Sequence, residues 1–408
     1  MIARGAAFTA SITGGANDRL LTFKAPAERQ RASFRWHLDE GNFLSAITML
    51  RDQLTDFRQL AGDSLHLDKT TCNSMICKLH KLAKRLSYGL FQGKRLSELQ
   101  AFVHARLAVG RASQRERVIE VSTDPSSVYP FELLALLPSN GFPPSSPERF
   151  LGLSAIVRRR LRRVDESNQK VLPNIPSLPL SFFWHSSLSG AALERTFLGT
   201  ISDLVDIYGP WPSAKEKLDP LIAVQHLMDS RQAIDKAGHP TRTASQIIHF
   251  ACHSDTFANH PDQYALELYN VEPCNIELGA LKEYVSGEVG DINVGSNPIL
   301  FLNSCGSAVA DSQTRVSFPQ FFLRHGFSVV IGTECDIPDS VAAHFSERFY
   351  GGILRGMSAG ESLNAAKRHL LDAHNNPLGL LYVIYGDPDV RLKKRRLKGV
   401  FDVCRYSG

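Results

Sequence analysis

Two apolar runs of strand length each stop at a residue able to take part in nucleophilic chemistry. The first reads Ile247-Ile248-His249-Phe250-Ala251-Cys252-His253-Ser254, and the second Pro298-Ile299-Leu300-Phe301-Leu302-Asn303-Ser304-Cys305-Gly306-Ser307. A cysteine attacks carbonyl carbon as the thiolate, and a neighbouring imidazole is the usual means of forming one near neutral pH. In an open parallel sheet, ligands and chemistry collect at the carboxyl ends of the strands. If the two runs are neighbouring strands, His253 and Cys305 emerge together at that edge. A lone strand-end cysteine is a weak signal, because free cysteine is among the most buried residue types. What favours a nucleophile is the histidine 52 positions upstream and the small turn Gly306-Ser307 behind the thiol. His249 shares a face with His253 but lies inside its run, so it reads as structural. Cys252 and Cys274 read as core or surface residues.

Three further patterns carry weaker chemistry. Gly356-Met357-Ser358-Ala359-Gly360 has the spacing of a serine-hydrolase elbow, which requires a strand before the serine. Here a helical pattern precedes it, so Ser358 is expected to cap the helix that follows. Asp255, Asp336 and Asp339 fall at or near the expected sheet edge, and Asp339 before an apolar helix suits an N-cap. Arg158 to Arg163 and Lys393 to Arg396 are basic runs without the interleaved aromatics that stack on bases. They read as solvated faces or a dock for an acidic protein, with nucleic acid engaged only indirectly if at all.

The elements that must position the pair follow from periodicity. Residues 1–27, rich in Gly, Ala and Thr, read as a loosely ordered entry. Between residues 29 and 110 the period is helical: Phe43, Ala46, Ile47, Leu50 and Leu54, then Met75, Leu79, Leu82 and Leu86, then Leu96, Leu99, Phe102, Val103 and Leu107. From about residue 115 strands alternate with helices, the pattern of an α/β sheet covered by helices. Strands are expected at 118–121, 153–157, 180–184, 265–269 and 380–385, and helices at 191–208, 340–354 and 361–373. The proline-rich 137–148 and 172–179 read as loops. The division expected is a helical regulatory or docking region, 1–114, ahead of an α/β domain, 115–408.

Composition excludes several classes. With 43% hydrophobic and 21% charged residues the chain reads as an ordinary soluble protein. No stretch approaches the ~18 apolar residues of a membrane span, so no membrane insertion is expected, and the N-terminus does not read as a signal peptide. Seven scattered cysteines fit neither a disulfide framework nor a zinc pattern. The expectation is a reducing cytoplasm, with no metal and no cofactor. A net charge of +5 is too mild to argue for nucleic acid.

The residues around His253 and Cys305 resemble the caspase-like CHAT cysteine peptidases. Further segments extend the resemblance over about residues 115–392. These are Val128-Tyr129-Pro130-Phe131-Glu132-Leu133-Leu134, residues 327–339 around Cys335-Asp336-Ile337-Pro338-Asp339, residues 356–366, and Tyr385-Gly386-Asp387-Pro388-Asp389. The resemblance implies a caspase-like α/β sheet sandwiched by helices, behind the N-terminal helical unit. It implies a Cys-His endopeptidase with Cys305 as nucleophile, His253 as acid–base, and an oxyanion hole made by the N–H groups of Ser254 and Cys305. Ser254 departs from the family's Gly and Cys335 from its frequent Trp. The serine raises the question of whether that backbone angle is one only Gly takes easily. Asn303, Asp336 and Asp339 are the implied substrate pocket. Basic-specific relatives carry Asp two before the cysteine, where this chain has Asn303, so a neutral or apolar substrate side chain is expected. The polar residues 308–317 after the nucleophile are expected to be a mobile pocket loop. The implied role is selective cleavage of one partner protein in bacterial defence or regulated cell death, for example a gasdermin-like effector, under a regulatory or sensor protein. The rival from another class is a catalytically silent CHAT-like scaffold, and a weaker third reading is a nucleic-acid-associated regulator.

Overall fold

The computed structural model describes residues 6–13, 19–24, 33–91, 94–108, 118–123, 128–136, 146–161, 171–172, 178–212, 233–234, 240–241, 245–255, 264–270, 273–287, 297–308 and 317–392. The basic run at 393–396, most of the 308–317 loop, Arg162 and Arg163 lie outside the described residues. The chain forms two compact units, 1–163 with 367–383, and 164–366 with 384–408.

The first unit opens on strands where sequence texture suggests a loose entry. Strands β1 (Ala6–Thr13), β2 (Leu20–Lys24) and β3 (Ser33–His37) form an antiparallel meander. The signal was present: Phe8, Ala10 and Ile12 alternate and are all buried, the period-2 pattern of a half-buried strand. Parallel to β1 run β4 (Val118–Thr123) and then β5 (Ile156–Leu161). The helical period is realised as α1 (Glu40–Ala61), α2 (Lys69–Leu90) and α3 (Lys94–Ala108). Asp39 and Asp68 accept backbone N–H groups and start α1 and α2. Ala46, Leu50, Leu54 and Phe57 on α1, and Met75, Leu79, Leu82 and Leu86 on α2, are buried.

The basic run at 158–163 is not a solvated face where it is described. Arg159 donates to both oxygens of Glu132, with Nη2 to Oε2 at 2.7 Å, and both side chains are buried. Arg158 lies 3.4 Å from Glu120. A buried guanidinium requires such a planar carboxylate partner, and the two glutamates lie 38 and 27 positions before the arginines they meet.

In the second unit, five parallel strands build the sheet that carries the candidate site. They are β6 (Leu178–Trp184), β7 (Val205–Trp211), β8 (Ile247–Asp255), β11 (Ile299–Ser304) and β12 (Val329–Thr333), in the order β7-β6-β8-β11-β12. The near-continuous apolar runs of β6, β8, β11 and β12 suit strands covered on both faces, whereas β7 is only partly buried. The tip of β8 continues beyond β6 and pairs antiparallel with β9 (Ala265–Tyr269), which pairs with β10 (Pro273–Glu277). Helices of this unit include α4 (Ser189–Thr200), α5 (Leu278–Gly287), α6 (Phe318–Arg324) and α7 (Asp339–Leu354). Helix α8 (Ala359–His374) starts with a reciprocal capping box: Glu361 N–H donates to Ser358 Oγ, and Ser358 N–H to Glu361 Oε2 at 2.7 Å. That disposes of the serine elbow, since helix α7 and not a strand precedes Ser358. The helix expected at 191–208 ends at Thr200 and the chain continues as β7. Strand β13 (Tyr382–Gly386) follows a short 3-10 turn.

Candidate active site

The register of β8 against β11 decides the geometry. Ala251 stands opposite Asn303 and Cys252 opposite Ser304, so His253 continues the end of β8 and Cys305 is the first residue beyond β11. Side chains alternate along a strand, which puts Ala251, His253 and Asn303 on one face and Cys252 and Ser304 on the other. His253, Cys305, Asn303 and Asp339 line one pocket, together with Glu194 and Thr333.

The turn behind the thiol is fixed by hydrogen bonds. Gly306 sits at φ 61°, a left-handed angle that costs a side-chain-bearing residue about 1–2 kcal/mol. Ser307 Oγ donates to the Leu302 carbonyl at 3.0 Å, Ala308 N–H to Thr333 O at 2.9 Å, and Thr333 Oγ1 to Ser304 O at 2.7 Å. Tyr385 Oη donates to Ala308 O at 3.1 Å. The strand end carrying Cys305 is thereby tied to the end of β12.

Cys305 is a resting thiol. Burial, first, and then the charge of Asp336 push it up to about 12. Its S–H donates to the Asp336 carboxylate and Asp339 adds to the same effect, while the Ile337 N–H opposes it. Asp336 therefore meets the sulfur itself. Cys335, buried beside it, turns its thiol to the Asp336 carbonyl at 3.3 Å.

His253 is exposed, and its ring meets the edge of His185 with centroids 5.0 Å apart at 70°. His185 follows β6 directly and is held on several sides. It stacks on Tyr269 at 5.3 Å, its Nδ1 lies 2.9 Å from Ser187 Oγ, and its N–H donates to Ala251 O at 2.9 Å. Burial, and then the nearby His253, hold the His185 imidazole below its ordinary range, with Asp339 acting against them.

Beneath the pocket lies a buried polar chain. Glu194 of α4 accepts from Asn303 Nδ2 at 2.9 Å and lies 2.7 Å from His249 Nε2. His249 Nδ1 stands 2.5 Å from Tyr350 Oη. Burial, and then Glu194, keep the Tyr350 phenol well above its usual range, so it retains its proton beside Nδ1. Nε2 faces the Glu194 carboxylate outside hydrogen-bond geometry. His249 is structural, as its place inside the strand implies. Asn303 also donates to Ala342 O at 3.0 Å, tying β11 to α7.

Asp339 is not the N-cap of its own helix: Pro338 takes that position and Asp339 is the first helical residue. Its Oδ2 accepts from Ser189 Oγ at 3.0 Å and Gly190 N–H at 3.1 Å, so it caps α4. The backbones approach so closely there that a Cβ on Gly190 would fall 2.6 Å from the Asp339 carbonyl. Ser254 lies within β8. Among the described residues the non-glycines at positive φ are Asn297 and Asn375, so Ser254 needs no angle reserved for glycine. The side chains that sequence reasoning did not single out are His185 and Glu194. His185 obeys the strand-end rule that exposed His253; nothing local marks Glu194.

Residues 153–390 match the family model described as CHAT domain. A protein named probable protease, from Vitiosangium sp. (strain GDMCC 1.1324), is 26% identical over 157 residues, 38% of this chain and 20% of that one. The chain thus spans about a fifth of the length of that curated relative. Two structures of the Saccharomyces cerevisiae separase–securin complex superpose with TM-scores of 0.54 and 0.51, at 13% identity, over 95% of this chain and 30% of theirs. At that identity the likeness is one of fold. No helix among the described residues is long and apolar enough to cross a membrane.

Proposed function

The chain belongs to the CHAT-domain family, and from that premise we propose that it is a selective cysteine endopeptidase using Cys305 and His253. The observation that carries this reading is the placement of both residues at adjacent carboxyl ends of parallel strands, lining one pocket. In the proposed reaction His253 takes the thiol proton and Cys305 sulfur bonds to the scissile carbonyl carbon. The oxygen that becomes negative is held by the N–H groups of Ser254 and Cys305, each such donor being worth about 3–4 kcal/mol in other enzymes. His253 then returns its proton to the leaving amine, and water releases the acyl group from sulfur. Burial, aided by Asp336, keeps the nucleophile as a thiol at rest, and a substrate or partner that displaces the Asp336 contact eases thiolate formation. This suits an enzyme that cuts one protein on command. The substrate proposed is a partner protein, such as a pore-forming effector in bacterial defence, with a sensor protein as regulator, the first unit as docking surface, and the cytoplasm as compartment.

A second reading, a silent CHAT-type scaffold, is favoured by one observation, the anionic surroundings that hold Cys305 protonated. Both are tested by incubating the purified chain with the protein encoded beside its gene. The peptidase reading expects a single cut, absent in Cys305→Ala and His253→Ala proteins of unchanged circular dichroism. A cut that survives in Cys305→Ala would remove it, and an intact neighbour in every case would favour the scaffold.

A further inference from the structure

The pocket below Cys305 carries carboxylates. Glu194 and Asp339 line it, Asp336 sits at the sulfur, and no lysine or arginine lines it among the described residues. Glu194 is the informative member because it is 2% exposed and yet borders the pocket. A carboxylate taken out of water needs a compensating cation or several donors. Here the Asn303 amide donates to Oε1, while Oε2 lies 2.7 Å from His249 Nε2 outside hydrogen-bond geometry and is without a hydrogen-bond partner among the described residues. A carboxylate accepts about four hydrogen bonds, so Glu194, with Oε2 unpartnered, retains acceptor capacity where it borders the pocket. Asn303, two residues before the nucleophile, suggests a neutral pocket from sequence; in the structure its amide holds a carboxylate brought in by α4.

We propose that this pocket selects a lysine or arginine side chain on the residue preceding the scissile bond, with Glu194 as the group that recognises its charge. The assignment rests on the peptidase reading above. It also links binding to activation. A cation entering beside Glu194 opposes the carboxylate field of Asp336 and Asp339, which adds to burial in holding the Cys305 proton. The side chain that fits the pocket is therefore one that eases thiolate formation, and a neutral side chain of equal length is not.

Two measurements on the full chain test this. The first compares fluorogenic peptides that differ only in having lysine, arginine or norleucine before the fluorophore. The basic peptides should exceed norleucine in kcat/KM on the order of 10²-fold, as for a desolvated charge pair, and Glu194→Gln should reduce the ratio to below tenfold. Norleucine turned over as well as lysine by the wild type would overturn the pocket assignment while leaving the peptidase reading intact, and this comparison needs no variant. The second is a calorimetric titration of n-butylguanidinium into the Cys305→Ala protein. Binding is expected, weakened at least tenfold by Glu194→Gln and not reproduced by 1-pentanol. Absence of n-butylguanidinium binding overturns the assignment whatever the turnover. Binding without turnover of any peptide supports the pocket and counts against the peptidase reading.

Discussion

Replacing Asp336 by asparagine should make the resting nucleophile more reactive. With the Cys305 thiol at about 12, only about one molecule in 10⁴ carries the thiolate at pH 8. Burial, the larger cause, is untouched by the substitution. The carboxylate charge and the strongest acceptor of the S–H are removed, while Asp339 and the Ile337 N–H remain. If the Asp336 contact accounts for about one pKa unit, the thiolate population rises tenfold. A less basic thiolate is a weaker nucleophile, with a Brønsted slope of about 0.4–0.5, so the net gain in alkylation is roughly three- to fourfold. The assay is the pseudo-first-order rate of iodoacetamide labelling at pH 8, read by mass spectrometry on the Cys305 peptide. Exposed Cys77 serves as reference within the same molecule. A rate equal to or below that of the wild type would refute the idea that Asp336 holds the proton on sulfur.

His185→Ala should lower kcat on the order of tenfold with little change in KM, because a misdirected His253 ring affects proton transfer more than binding. His185→Phe, which keeps a ring against His253 and Tyr269, should recover most of the loss in the same peptide assay. Asp339→Ala removes the side-chain cap of α4 and should cost about 1 kcal/mol, read as a lower midpoint in urea denaturation. Lys367 is buried, and burial, opposed by Glu132 and aided by Arg159, brings it down to about 8 from 10.5. Between those values the unfolded chain binds a proton that the folded one does not, so stability rises with pH across that window and is lost as pH falls through it. The difference between wild type and Lys367→Met should therefore grow by at most about 3 kcal/mol from pH 8 to 10.5 and stay flat below pH 8. A flat difference throughout would show that Lys367 is not held neutral.

The two strands that deliver His253 and Cys305 were legible because both are apolar on both faces and stop abruptly, a pattern that survives without knowledge of neighbours. Their pairing needed the register, which only the assembled sheet supplies. Glu194 was not legible. It sits in a helix of mixed composition, and its burial depends on Asn303 and His249, 109 and 55 positions away. Asp339 was read correctly as a capping type and assigned to the wrong helix, because a side chain at a helix start can serve whichever N-terminus is within reach. Arg158 and Arg159 read as surface charge because a run of like charges normally is. Their partners Glu120 and Glu132 come from elsewhere in the chain. The strand at 6–13 was hidden by small and polar residues, although the alternation of Phe8, Ala10 and Ile12 was there to be seen.

The central claim is that this protein cuts other proteins with Cys305 as nucleophile and His253 as its acid–base partner. The most direct measurement is a comparison of new protein N-termini in bacterial cells expressing the wild type, Cys305→Ala or His253→Ala at equal levels, together with the candidate partner. A small set of new N-termini present with the wild type and absent with both variants is the predicted result. New N-termini equally abundant with Cys305→Ala, or none with any of the three while the partner is bound, would contradict it.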